Sequence, residues 1–94
     1  MSDMIDQAVK ELNQKTGGSF DGSAKFIVTG EGTIMLDGEG ARAADEEADV
    51  TLTADADTFK EIFDGDLDPT SAFMSGRLKI DGDMGQAMKL AQTL

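Results

Sequence analysis

The sequence contains no cysteine, histidine, tryptophan or tyrosine, and it has a single proline. The absence of cysteine excludes disulfides and thiolate metal sites. Without cysteine and histidine, the chain also lacks the thiol nucleophile, the most frequent general base and the most frequent transition-metal ligand. We therefore predict a protein that is not an enzyme and that uses neither a metal ion nor a cofactor.

Positive charge is scarce as well, with 8 lysines and arginines against 19 aspartates and glutamates, which gives a net charge of −11. Binding to nucleic acid or to an anionic bilayer depends largely on cationic side chains, so neither is an expected partner. No apolar run approaches the roughly 20 residues that a membrane-spanning helix needs. We expect no stable insertion into a membrane.

The length of 94 residues predicts one domain over 1–94. The first residues are acidic and amphipathic, unlike a signal peptide, and the chain does not end on the Ser-Lys-Leu peroxisomal signal. We therefore expect a cytoplasmic location.

The first half of the chain predicts one helix followed by short strands. Ser2 can cap the helix, apolar residues recur at spacings of three and four from Met4 to Leu12, and the pair Gly17-Gly18 ends it. Short apolar and β-branched stretches then predict strands, of which the first two form an antiparallel hairpin and the third is a weaker edge strand. These strands are predicted at 25–29, 33–36, 41–44 and 50–53.

The second half predicts two short helices, a strand and a C-terminal helix. Phe59, Ile62 and Phe63 share one helical face, and Pro69 follows an aspartate at the first position of the next helix. Residues 77–81 alternate as a strand, and Asp83 can cap the last helix. The order of elements indicates an α+β fold, with a mainly antiparallel sheet that helices cover on one face.

One acidic spacing resembles a calcium loop. Asp64, Asp66 and Asp68 fall at its first, third and fifth positions, but Pro69 and Ser75 stand where glycine and a bidentate glutamate are needed. The interpretation is a solvated acidic turn that caps a helix. An enzyme that works with carboxylates alone is the one catalytic alternative, and no carboxylate in the pattern is a specific candidate for it.

The other notable group of residues is apolar. Aromatic and methionine side chains at helical spacing are typical of a filled core. They can also line a cavity for a hydrophobic ligand, because methionine adapts to varied apolar shapes. The pattern alone leaves both alternatives open. The residues concerned are Phe59, Ile62, Phe63, Phe73, Met74, Met84 and Met88.

Three segments carry a resemblance to a known family. They are 48–53 (ADVTLT), 59–69 (FKEIFDGDLDP) and the ungapped block 72–90 (AFMSGRLKIDGDMGQAMKL). Together they resemble the sterol carrier protein type 2 family. The departures from that family, which are the missing peroxisomal ending, the short C-terminal helix and the negative charge in place of a basic one, imply a bacterial-type single-domain lipid or acyl-CoA binder and not a dedicated sterol shuttle.

The resemblance implies a five-stranded sheet with helices on one side and an apolar tunnel between them. It implies binding, and transfer without chemistry, of fatty acyl chains, acyl-CoA, phospholipid or sterol. The alternative is a protein-interaction module with a filled core that docks to an enzyme of lipid metabolism. Carried over by position, the resemblance places these residues in the tunnel wall: Phe59, Ile62, Phe63, Phe73, Met74, Leu78, Met84 and Met88.

Overall fold

The computed structural model describes residues 3–94, so the predicted cap Ser2 lies outside the described residues. Four helices and five strands follow one another in the predicted order. They are α1 (Asp3–Thr16), β1 (Ala24–Val28), β2 (Gly32–Asp37), β3 (Gly40–Ala43), β4 (Val50–Ala54), α2 (Ala56–Phe63), α3 (Pro69–Met74), β5 (Lys79–Gly82) and α4 (Met84–Thr93).

The five strands form one sheet in the order β3-β2-β1-β4-β5. Antiparallel pairing joins β1 to β2, β2 to β3 and β4 to β5, whereas the central pair β1 and β4 is parallel. This arrangement confirms the predicted α+β class and the mainly antiparallel sheet.

The core lies between one face of the sheet and the helices. Alternate residues of β1 and β4 are buried on this face, as the two-residue period of a strand requires. At its centre Phe26 meets Phe59 and Phe63 of α2, with ring centroids 5.7 and 6.3 Å away. Burial of each such side chain contributes about 1.5–3 kcal/mol to the hydrophobic term.

The outer edge of β3 is paired with a side chain of α1. The amide of Asn13 donates from Nδ2 to the carbonyl of Ala41 (3.1 Å), and its Oδ1 accepts from the backbone N–H of Ala41 (2.8 Å). Asn13 thus satisfies two backbone groups that an edge strand leaves unpaired. The same contacts hold α1 against this end of the sheet.

The last strand begins later than predicted: the prediction was 77–81, and the strand is Lys79–Gly82. The N–H groups of Arg77 and Leu78 both donate to the carbonyl of Ala72, so these two residues belong to the turn that closes α3. Gly82 extends the strand and pairs opposite Val50. Its φ of +107° suits glycine, and a Cβ there would lie 2.5 Å from the carbonyl oxygen of Asp49.

Candidate functional site

An apolar groove of about 510 Å³ lies between α3 and α4, above the β4–β5 end of the sheet. Its floor includes Leu52 and Ile80, which face each other across the two strands. The lining is Leu52, Asp68, Pro69, Thr70, Phe73, Met74, Ile80, Met84, Ala87, Met88, Leu90, Ala91, Gln92 and Leu94.

The α3 wall is a six-residue helix with a single buried position, Ala72. Asp68 is its N-cap residue and Pro69 its first residue, where the missing N–H of proline costs nothing. Because only Ala72 is buried, Phe73 and Met74 stay 42% and 80% exposed, although both are large and apolar. This wall of the groove is therefore open to solvent.

The α4 wall begins at a well-formed cap. Oδ1 of Asp83 accepts hydrogen bonds from the backbone N–H groups of Gly85 (2.8 Å) and Gln86 (3.3 Å). Ala87 and Leu90 anchor the helix in the core. Met84 and Met88 lie one turn apart on the groove side and are 49% and 65% exposed.

The structure brings half of the eight predicted site residues to this groove: Phe73, Met74, Met84 and Met88. The other half do not line it. Phe59, Ile62, Phe63 and Leu78 are buried in the main core, where the Phe59 ring stacks on Phe63 at 5.8 Å. The rings of Phe59 and Phe63 pack against Phe26 of β1, so these four residues lie apart from the groove, and their place in a ligand-binding wall stays a prediction.

Sequence reasoning did not assign Leu52, Ile80, Ala87 and Ala91 to the site. The two alanines share the helical face of Met84 and Met88, so the spacing of the last helix already contained that signal. The facing pair Leu52 and Ile80 depends on the register of β4 against β5, which no local pattern reveals. Small side chains on α4 and a two-residue floor create the space that the groove occupies.

One ion pair and one helix cap hold the elements beside the groove. Arg77, just after α3, donates to a carboxylate oxygen of Glu61 on α2, and this hydrogen bond raises the pKa of Arg77 above its ordinary value. Asp55 caps α2, and hydrogen bonds from the side chain and the backbone N–H of Thr58 lower the pKa of Asp55. The first contact joins two exposed side chains and links the residue after the α3 turn to α2.

A second cavity of about 580 Å³ lies between α1 and α2 and has a different chemistry. Half of its lining residues are charged: Asp3, Glu11, Lys60 and Asp64. Phe63, one of the predicted site residues, reaches this cavity and not the groove. The two cavities have similar volumes, but the apolar wall of the groove suits a hydrophobic ligand.

The described part of the chain offers no cluster of three or more acidic side chains placed to hold a metal ion. Asp64, Asp66 and Asp68 are all exposed. None of the helices within residues 3–94 combines the length and the apolar character that crossing a bilayer requires.

Comparison with known proteins identifies one family. Residues 5–94 match the family model described as the SCP-2 sterol transfer family. Hydroxysteroid dehydrogenase-like protein 2 of Xenopus laevis is 39% identical over 93 residues, which cover 90% of this chain and 22% of that protein. Human sterol carrier protein 2 is 34% identical over 92 residues, which cover 92% of this chain and 17% of that protein. The chain thus spans only about a fifth of these relatives.

Solved structures show the same fold. The solution structure of sterol carrier protein 2 from Aedes aegypti in complex with palmitate superposes with a TM-score of 0.80 at 20% identity. The superposition covers 98% of this chain and 94% of that one.

Proposed function

Since this chain belongs to the SCP-2 sterol transfer family, we propose that residues 1–94 form a single lipid-binding domain whose ligand occupies the groove between α3 and α4. The observation that carries the proposal is the wall of exposed apolar side chains on both helices: Phe73, Met74, Met84 and Met88. Large apolar side chains gathered around one concave site mark a binding surface. The palmitate complex of the Aedes aegypti protein supports an acyl chain as the ligand.

Binding would draw on apolar burial and would involve no bond making. Each methylene removed from water contributes roughly 0.8 kcal/mol before the entropic costs of association. Apolar walls discriminate weakly between chains of similar length, so the groove would accept several acyl lengths. A protein that binds its ligand in this way can transfer the ligand without changing it chemically.

Release and transfer would take place through α3. This helix is short, has one buried residue and is flanked by Gly65 and Gly76, both with positive φ. The wall that α3 forms can therefore move with little loss of buried surface, whereas α4 is anchored by Ala87 and Leu90. Transfer of lipid between acceptors is accordingly part of the proposal, and α3 is its moving element.

Methionine methyl groups allow a direct test. Of the six methionines, Met74, Met84 and Met88 line the groove, Met35 is buried in β2, and Met4 lines the second cavity. We expect addition of dodecan-1-ol to delipidated, methyl-labelled protein to shift the three groove signals and leave that of Met35 in place. A shift confined to Met4 would instead locate the ligand between α1 and α2, and no shift at all would refute lipid binding.

A second candidate function follows from the size of the relatives. The chain matches about a fifth of hydroxysteroid dehydrogenase-like protein 2. An SCP-2 unit within such a protein can serve as a docking module for a lipid-metabolising enzyme. The two functions separate experimentally, since a docking module with no ligand would show no methyl shifts with any lipid.

A further inference from the structure

The charges around the groove bear on the head group of the ligand, an inference that rests on the proposed lipid binding. Among the described residues that line the groove, Asp68 carries the one charged side chain, and that charge is negative. Thr70 and Gln92, two uncharged polar residues of the lining, are exposed like Asp68, and these three residues make up the polar rim of the groove. The rim therefore presents a carboxylate, a hydroxyl and an amide to whatever emerges from the apolar interior.

The cations on the neighbouring elements are directed elsewhere. Lys89 of α4 binds Asp21, with Nζ 3.1 Å from the carboxylate and 3.0 Å from the backbone carbonyl. Arg77 binds Glu61 on α2. Lys79 alternates with Ile80 along β5, so it projects from the opposite face of the sheet to the groove.

We propose that the rim selects lipids with an uncharged, hydroxyl-bearing head over anionic lipids, and that Asp68 is the residue that determines this preference. A hydroxyl head can donate a hydrogen bond to the Asp68 carboxylate and exchange hydrogen bonds with Thr70 and Gln92. A carboxylate or phosphate head can only accept, and it meets like charge at Asp68 as well as the net charge of −11. The chemical class is a long-chain alcohol or a monoacylglycerol.

The size of the effect follows from Coulomb's law. Two like charges about 4 Å apart in water repel by an amount equivalent to about fivefold in affinity. No other acidic side chain of the described residues lines the groove, and salt screens charges beyond roughly 8–10 Å. We therefore expect dodecan-1-ol to bind at least about fivefold more tightly than dodecanoate at neutral pH and low salt.

The test compares these two ligands, which have the same chain length, by titration of the groove methionine methyl signals. Asp68→Asn removes the charge and costs α3 no capping hydrogen bond, because the Asp68 side chain makes none; Oδ2 accepts a hydrogen bond from the Ser71 hydroxyl at 3.4 Å, which the Asn amide oxygen can also accept. We expect this variant to reduce the preference for the alcohol by about fivefold. Asp66→Asn is the matched control, because Asp66 is exposed, equally charged and outside the groove lining.

Equal affinity of the wild-type protein for the alcohol and dodecanoate would overturn the head-group inference while leaving lipid binding intact. An equal loss of preference in both variants would overturn the role of Asp68, since the electrostatic field of the whole protein would then be responsible. If neither ligand shifts the groove signals, lipid binding itself fails, so the two proposals fail in different ways.

Discussion

Replacing Met88 with alanine should weaken lipid binding without weakening the fold. Met88 is 65% exposed on the wall of the groove. Complete burial of a methionine side chain contributes about 1.5–3 kcal/mol, so a ligand that covers the exposed part gains at most about 1–2 kcal/mol from it. That corresponds to roughly 5- to 30-fold in Kd. We expect the free energy of unfolding to change by no more than about 0.5 kcal/mol, as at other exposed positions.

The matched comparison uses two core residues that sequence reasoning placed in the same site. Ile62→Val should cost about 0.5–1.5 kcal/mol and Leu78→Ala about 2–5 kcal/mol of stability, because both side chains are buried. Urea denaturation followed by far-ultraviolet circular dichroism measures stability in a chain that has no tryptophan, and titration of the Met84 methyl signal measures Kd. The reasoning is refuted if Met88→Ala leaves Kd unchanged while Ile62→Val raises it.

Three further changes test the scaffold. Gly82→Ala should cost at least about 1–3 kcal/mol, since it forces a side chain into a positive-φ position against backbone, whereas Gly38→Ala, with open space around it, should be nearly neutral by the same denaturation assay. Asn13→Ala removes both hydrogen bonds to β3 and should lower the free energy of unfolding by about 1–3 kcal/mol, with faster amide exchange confined to that edge. Hydrogen bonds from Thr58 lower the pKa of Asp55 in the folded state. They therefore stabilise the fold above the ordinary pKa of 3.8, and this stabilisation is lost as the pH falls through the lower folded-state pKa. In Asp55→Asn, the free energy of unfolding measured against pH should lack that loss.

Local chemistry made much of the fold predictable. The starts of α3 and α4 are predicted by Asp68-Pro69 and by Asp83, because helix-capping preferences depend only on residues close in sequence. The hairpin of β1 and β2 likewise depends on a short glycine-rich connection. The parallel pairing of β1 with β4 was not predicted, because it joins segments about 26 residues apart and leaves no trace in either strand's own pattern.

Sequence alone could not separate the groove residues from the core residues, for a related reason. Helical spacing identifies Phe59 and Phe73 equally well as apolar residues on helix faces. Whether such a residue is covered depends on how closely its helix meets the sheet. The Phe59 ring lies against Phe26, whereas α3 is six residues long and buries only Ala72, so Phe73 remains uncovered. Coverage is a property of packing between distant segments, and sequence periodicity does not contain it.

The strong negative charge and the exposed groove are physically connected. Four large apolar side chains around one opening would favour association of two copies through that surface. A net charge of −11 opposes such contact by mutual repulsion over a Debye length, and it does so without filling the groove. An uncharged lipid is not subject to that repulsion, so it can enter where a second protein molecule or an anionic lipid is disfavoured. The surface charge is therefore expected to protect the site from self-association, whereas the proposed choice between head groups depends on Asp68, and adding salt should weaken both effects.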